Sequence, residues 1–92
     1  MWISYSESGE ILGMVMLAPH SKGGHLDNLA VYESARGLGI GIALVQQLLK
    51  DTAEMGPSTV TLTTRIPEFF SKIGFKIAGC LDDGSKLMFI IL

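Results

Sequence analysis

The stretch VYESARGLGIGIALVQQLLK, Val31 to Lys50, places glycines at 37, 39 and 41 directly behind Arg36, where an amphipathic run begins. Glycine costs about 0.5 to 1 kcal/mol relative to alanine inside a helix, so three of them here serve something that side chains would obstruct. Beyond them Leu44, Val45, Leu48, Leu49 and Thr52 form one stripe, and Gln46, Gln47, Lys50, Asp51 and Glu54 the opposite one. Met55, Gly56 and Pro57 supply the stop. A helix start presents unpaired N–H groups and the positive end of the macrodipole, so this turn suits an anion. Arg36 adds a fixed positive charge that can pair with phosphate oxygens.

Two well-known phosphate loops do not fit. A Walker A loop requires a lysine after its last glycine, and none follows here. A G-x-G-x-x-G fingerprint requires a third glycine where the chain has Ile42 or Leu44.

Working outward, Trp2 to Tyr5 and Glu10 to Ala18 read as a hairpin turning at Gly9, with Gly13 as a candidate bulge. PHSKGG reads as a loop, which makes His20 a solvated loop residue. HLDNLAVY is a third strand, with His25, Asp27, Leu29 and Val31 on one face by alternation. STVTLTT is a β-branched strand, and IPEFFSKIGF a short helix with Pro67 in its first turn and Gly74 near its end. KIAGCLDDGSKLMFIIL reads as a closing hairpin around Asp83 and Gly84. The expected order is β-β-β-α-β-α-β-β in a single α+β domain covering residues 1 to 92.

Composition narrows the function. The 92 residues are 48% hydrophobic, enough for one core, and the net charge of −2 with only seven Lys and Arg gives no surface for nucleic acid or an anionic membrane. No stretch approaches the ~18 apolar residues of a membrane span, and MWISYSESGE has no leader pattern. Cys80 is the single cysteine, which excludes an internal disulfide and a cysteine-based zinc site and fits a reduced, cytoplasmic setting. No metal is expected. Cys80 itself reads as a small buried hydrophobe.

The spacing that does fit is Arg36-x-x-Gly39-x-Gly41 between a strand and a long helix. It resembles the acyl-CoA signature of the GNAT superfamily of N-acetyltransferases. GEILGMVML is similar to that family's second and third strands, LDNLAVYESARGLGIGIALVQQLL to its fourth strand, turn and third helix, and FFSKIGFK to its last-helix block. The resemblance implies a twisted, mostly antiparallel sheet with one splayed parallel pair, formed by Leu26 to Val31 and Thr59 to Thr63. It also implies acetyl-CoA as cosubstrate. Arg36, Gly37, Leu38, Gly39, Ile40 and Gly41 would then meet the pyrophosphate. Leu29, Ala30, Val31 and Thr63 would flank the pantetheine arm, with Phe69, Phe70 and Lys72 beside it.

Acetyl transfer to an amine needs a neutral amine, a stabilised oxyanion and a proton for the departing thiolate. The resemblance implies oxyanion contacts from backbone N–H near Leu29 to Val31, and puts His25 where many relatives have a catalytic glutamate. An imidazole with an ordinary pKa of about 6.5 can deprotonate an ammonium near neutrality. Asp27 is the second candidate. The family's usual tyrosine acid is Phe70 here, so that proton source is lost.

LTTRIPEFFSKIGF further resembles a block in the acetyltransferase domain of N-acetylglutamate synthases, in which Arg65 would meet a substrate carboxylate or a CoA phosphate. The expected function is therefore acetyl transfer to a small primary amine, an amino acid among the candidates, without a covalent enzyme intermediate. Alternatives are an idle acyl-CoA-binding module or a piece of a larger transferase acting on protein amines. The resemblance also implies that the family's first strand and helices are missing here. Trp2, Ile3 and LMFIIL then leave apolar surface that a homodimer would cover.

Overall fold

A computed structural model describes residues 1–20, 23–56 and 58–92. The elements are β1 (Trp2–Tyr5), β2 (Ile11–His20), β3 (Gly23–Val31), a 3-10 turn (Glu33–Ala35), α1 (Ile40–Met55), β4 (Thr59–Thr64), α2 (Pro67–Ser71), β5 (Lys76–Cys80) and β6 (Lys86–Ile91). They form one six-stranded sheet of order β1-β2-β3-β4-β6-β5. Every neighbouring pair is antiparallel except β3 and β4. This is the expected α+β order.

The core lies on one face of the sheet. Val15, Leu26, Val60, Leu62 and Met88 from alternate strand positions pack against Leu44, Val45 and Leu48 of α1 and against Phe70 and Phe75 around α2. The apolar stripe of α1 read from the sequence is the stripe that is buried, Thr52 included. Phe70 stacks edge-on against Phe69 and Phe75, with ring centroids 5.0 and 5.7 Å apart. Both helices therefore sit on the same side, and the molecule measures 40 × 31 × 19 Å, its short dimension a sheet plus one helical layer. Trp2 belongs to this side too: its indole packs on the core, and Nε1 donates to Asp51 Oδ2 at 2.7 Å.

Four sequence expectations need correction. PHSKGG is not loop throughout, because Pro19 pairs with Gly24 and His20 with Gly23, which carries β2 and β3 into this stretch. Glycine is required there: a Cβ on Gly23 would collide with the Thr59 carbonyl oxygen. Ser21, Lys22, Pro57 and the His20 side chain lie outside the described residues. Gly13 is not itself a bulge, since it stays in register with both Ser4 and Val31 while irregularities flank it.

The third correction concerns β3. Met14 pairs with Ala30 but Met16 pairs with Asp27, so Asn28 and Leu29 together oppose Val15 alone. Asn28 takes φ +50°, the left-handed conformation that asparagine tolerates better than most side chains. The extra residue reverses the alternation. His25 and Asp27 face away from the helices, whereas Leu29 packs on the core and Val31, opposite Gly13, faces α1. Lastly, Cys80 is exposed rather than buried, and Lys86 Nζ donates to its Sγ at 2.9 Å.

Candidate functional site

Strands β3 and β4 are paired only at Gly23–Thr59, Gly24–Val60 and His25–Thr61, and beyond those pairs they splay. A cleft of about 360 Å³ opens between them, bounded by His25, Asp27 and Asn28 on one bank and by Leu62, Thr63 and Thr64 on the other, with Phe70 at its floor. On these banks the facing backbone N–H and C=O groups lack the ladder partners that a continued sheet would supply. Leu29 and Ile66 also line a second, larger cavity of about 830 Å³, so the two adjoin.

The larger cavity is built on the glycine turn. Ala30, Val31, Arg36, Gly37, Gly39, Ile40, Gly41 and Phe69 line it. Gly37 and Gly39 have φ of +84° and +76°, and a Cβ on either would point into open space. Their requirement is conformational, because a left-handed backbone costs an ordinary residue about 1 to 2 kcal/mol. Gly41 differs: its Cβ would come 3.2 Å from Phe69 Cζ, so its smallness lets the ring lie against the first turn of α1. That first turn carries no acidic residue and no side-chain cap. Its leading N–H groups are thus left for an anion. Arg36 is anchored by Nε to the Val31 carbonyl at 3.3 Å, which leaves its terminal nitrogens for a phosphate.

His25 stands at the mouth of the narrower cleft, with Nδ1 2.9 Å from Thr61 Oγ1. Asp27 is exposed two residues on. Among the expected residues, Leu29, Ala30, Val31, Arg36, Gly37, Gly39, Ile40, Gly41, Thr63, Phe69 and Phe70 border one or other of the adjoining cavities. Leu38, exposed at 71%, and Lys72 border neither. Nor does Arg65, whose Nη2 lies 3.5 Å from Asp83 Oδ2. Asp83 is held below the usual carboxylate range, first by the Ser85 hydroxyl and then by its backbone N–H. Ile66, which lines both cavities, escaped the sequence reading, as did the left-handed Asn28. An asparagine inside an otherwise apolar strand was the available signal.

Among the described residues no cluster of His, Cys, Asp and Glu could hold a metal ion, and no helix is long and apolar enough to cross a membrane.

Residues 1–77 match the family model of the acetyltransferase (GNAT) domain. Peptidyl-lysine N-acetyltransferase YjaB of Escherichia coli is 28% identical over 79 residues, covering 86% of this chain and 51% of that protein. The chain thus spans about half the length of the curated relatives it matches. An acetyltransferase from Bacillus cereus superposes with a TM-score of 0.91 at 26% identity, over 98% of this chain and 70% of the other. N-acetylglutamate synthase from Neisseria gonorrhoeae, solved with coenzyme A and N-acetyl-glutamate, shares the fold with a TM-score of 0.86 at 21% identity, over 98% of this chain and 25% of its own.

Proposed function

Because the chain belongs to the GNAT acetyltransferase family, we propose that it transfers the acetyl group of acetyl-CoA directly to a primary amine of a small molecule. The observation that carries this reading is that the splayed β3–β4 cleft adjoins the cavity on the Arg36–Gly41 turn, with Leu29 and Ile66 lining both. One end suits a diphosphate and the other suits reacting atoms.

Acetyl-CoA supplies an activated acyl group as a thioester. The residues fit it: the N–H groups at the start of α1 and the Arg36 guanidinium take the pyrophosphate, and the unpaired edges of β3 and β4 take the amides of the pantetheine arm as a strand would. Phe69 packs along that path. Backbone N–H groups of Leu29 to Val31, re-aimed by the bulge at Asn28, supply hydrogen bonds to an oxyanion. His25 receives the proton that the acceptor ammonium must lose, and Asp27 is the alternative base. With Phe70 buried in the core, the thiolate takes its proton from water or from the amine.

A lysine side chain on another protein is the second reading, favoured by the peptidyl-lysine activity in the name of the Escherichia coli relative. Amino-acid acceptors gain no support from Arg65, which lies outside the cleft and beside Asp83. The test is acetyl-CoA turnover against a panel of small amines, amino acids and lysine peptides, with the products weighed by mass spectrometry. Tight binding without turnover would leave the chain an acyl-CoA-binding module, and CoA release with acetate as the only other product would make it a thioester hydrolase.

A further inference from the structure

We propose that Thr64 is a catalytic residue of the transfer, its hydroxyl donating a hydrogen bond to the sulfur of CoA as the carbon–sulfur bond breaks. The role rests on the transferase reading above and names the side chain that meets the departing sulfur.

A thiolate leaving an acyl group is stabilised by a donor aimed at the charge it develops. Four side chains bordering the β3–β4 cleft can donate: His25, Asn28, Thr63 and Thr64. His25 is tied to Thr61 and faces away from the helices. Asn28 and Thr63 are exposed, and Thr63 shares the parity of Thr61 on that same helix-free side. Thr64 differs. It follows Val60 and Leu62 onto the helix side, where Phe70 forms the floor of the cleft, and it is half-buried.

The route into the cleft decides which hydroxyl the sulfur meets. The Arg36–Gly41 turn leads into α1, which covers the helix side. Leu29 and Ile66, which line both cavities, lie on that side too, Leu29 packed on the core and Ile66 at the N-cap of α2. A cosubstrate anchored by its phosphates on the turn passes between them and reaches the cleft from the helix side. Directly past Ile66 stands Thr64, whose Oγ1 accepts the Ile66 N–H at 3.0 Å. That bond fixes the oxygen, and the hydroxyl's own hydrogen goes to no other atom among the described residues. An oxygen that already accepts a hydrogen bond is the stronger donor. His25 and Asp27 face the other way, so amine and sulfur approach the carbonyl carbon from opposite sides of the sheet.

The step balances without a further reactant. The amine nitrogen forms its bond to the carbonyl carbon, and the electron pair of the carbon–sulfur bond moves onto sulfur. Thr64 stabilises that charge and keeps its hydrogen. The proton that the new amide nitrogen sheds completes the CoA thiol through solvent.

Desulfo-CoA, which lacks only the sulfur, tests the contact without any turnover. By titration calorimetry the wild-type chain should bind CoA roughly threefold or more tightly than desulfo-CoA; Thr64→Val should erase that preference, and Thr64→Ser should keep it. Desulfo-CoA itself should bind all three chains alike. With acetyl-CoA and an accepted amine, Thr64→Val should lower kcat roughly ten- to hundredfold with little change in KM, whereas Thr64→Ser retains most of it. Should Thr64→Val not fold, Thr64→Ala serves the same comparison. A wild-type chain indifferent to the sulfur, or a preference that survives in Thr64→Val, would overturn the contact. Equal weakening of both ligands in Thr64→Val would overturn it too, since the residue would then only shape the loop through Ile66. An unchanged kcat in Thr64→Val would overturn the catalytic role. A sulfur preference that depends on Thr64, in a chain that acetylates no amine, would uphold the contact and sink the transferase reading instead.

Discussion

His25 Nδ1 and Thr61 Oγ1 lie 2.9 Å apart across the last pair at which β3 and β4 still run side by side. The threonine fixes the ring from one nitrogen, so Nε2 is the atom left for a proton from an acceptor. Under saturating acetyl-CoA, kcat/KM should fall on the acid side as the base is protonated. His25→Ala should lower it roughly 100-fold or more and flatten that limb. Thr61→Val removes an orienting bond worth about 1 kcal/mol, so a loss of roughly fivefold with the limb retained is expected. An acid limb unchanged in His25→Ala moves the role to Asp27 or to water.

The glycines of the turn should separate by mechanism. Gly39→Val meets a φ of +76° that a branched side chain resists. Titration calorimetry should show acetyl-CoA affinity down tenfold or more. Gly41→Ala gains about 0.5 to 1 kcal/mol of helix propensity against a 3.2 Å approach to Phe69 Cζ, and should bind almost as the wild type does. Equal loss in both would mean that packing, not backbone conformation, builds the site.

Asp51 accepts from Trp2 Nε1 and from Gln47, and these two bonds hold its carboxyl below the usual aspartate range, Trp2 contributing most. A depressed folded-state pKa stabilises the fold above the unfolded value of about 3.9, and that contribution is lost as pH falls through the folded value. Trp2 is the only tryptophan, so its emission should report a single acid transition centred below the ordinary aspartate value. Asp51→Asn should abolish that transition, and the variant's Tm should converge on the wild type's toward pH 2. An emission midpoint at or above 3.9 would contradict the bond.

Thr52 is fully buried, and its Oγ1 has no hydrogen-bond partner among the described residues. Leaving a hydroxyl unsatisfied costs about 1 to 3 kcal/mol, and valine keeps its shape. Thr52→Val should therefore raise the urea midpoint without changing the slope. A lower midpoint would show that the hydroxyl is satisfied after all.

How far the sequence could be read depended on whether local chemistry or a distant neighbour decided the outcome. The stripe of α1, the glycine turn and the closing hairpin follow from periodicity and turn residues within a few positions, and all three stand in the structure. Gly23 answers to Thr59, thirty-six positions away, and nothing beside it in the chain says so. The face of Val31 was misread because strict alternation cannot anticipate an inserted residue, and Asn28 moves everything after it by one step. Arg65 looked free because its partner, Asp83, arrives on a later hairpin.

The brief β3–β4 pairing has a kinetic side. Three residue pairs are all that join the β1–β3 half of the sheet to the β4–β6 half within the ladder, and the splay begins immediately after them. Such a seam is the thinnest stretch of ladder between these two units of the sheet, and amide protons along it should exchange ahead of those buried under α1. A molecule that lies between β3 and β4 and bonds to both edges bridges the units. Occupancy of the cleft would then be written into the exchange rates of amides on both strands, far beyond the atoms it touches.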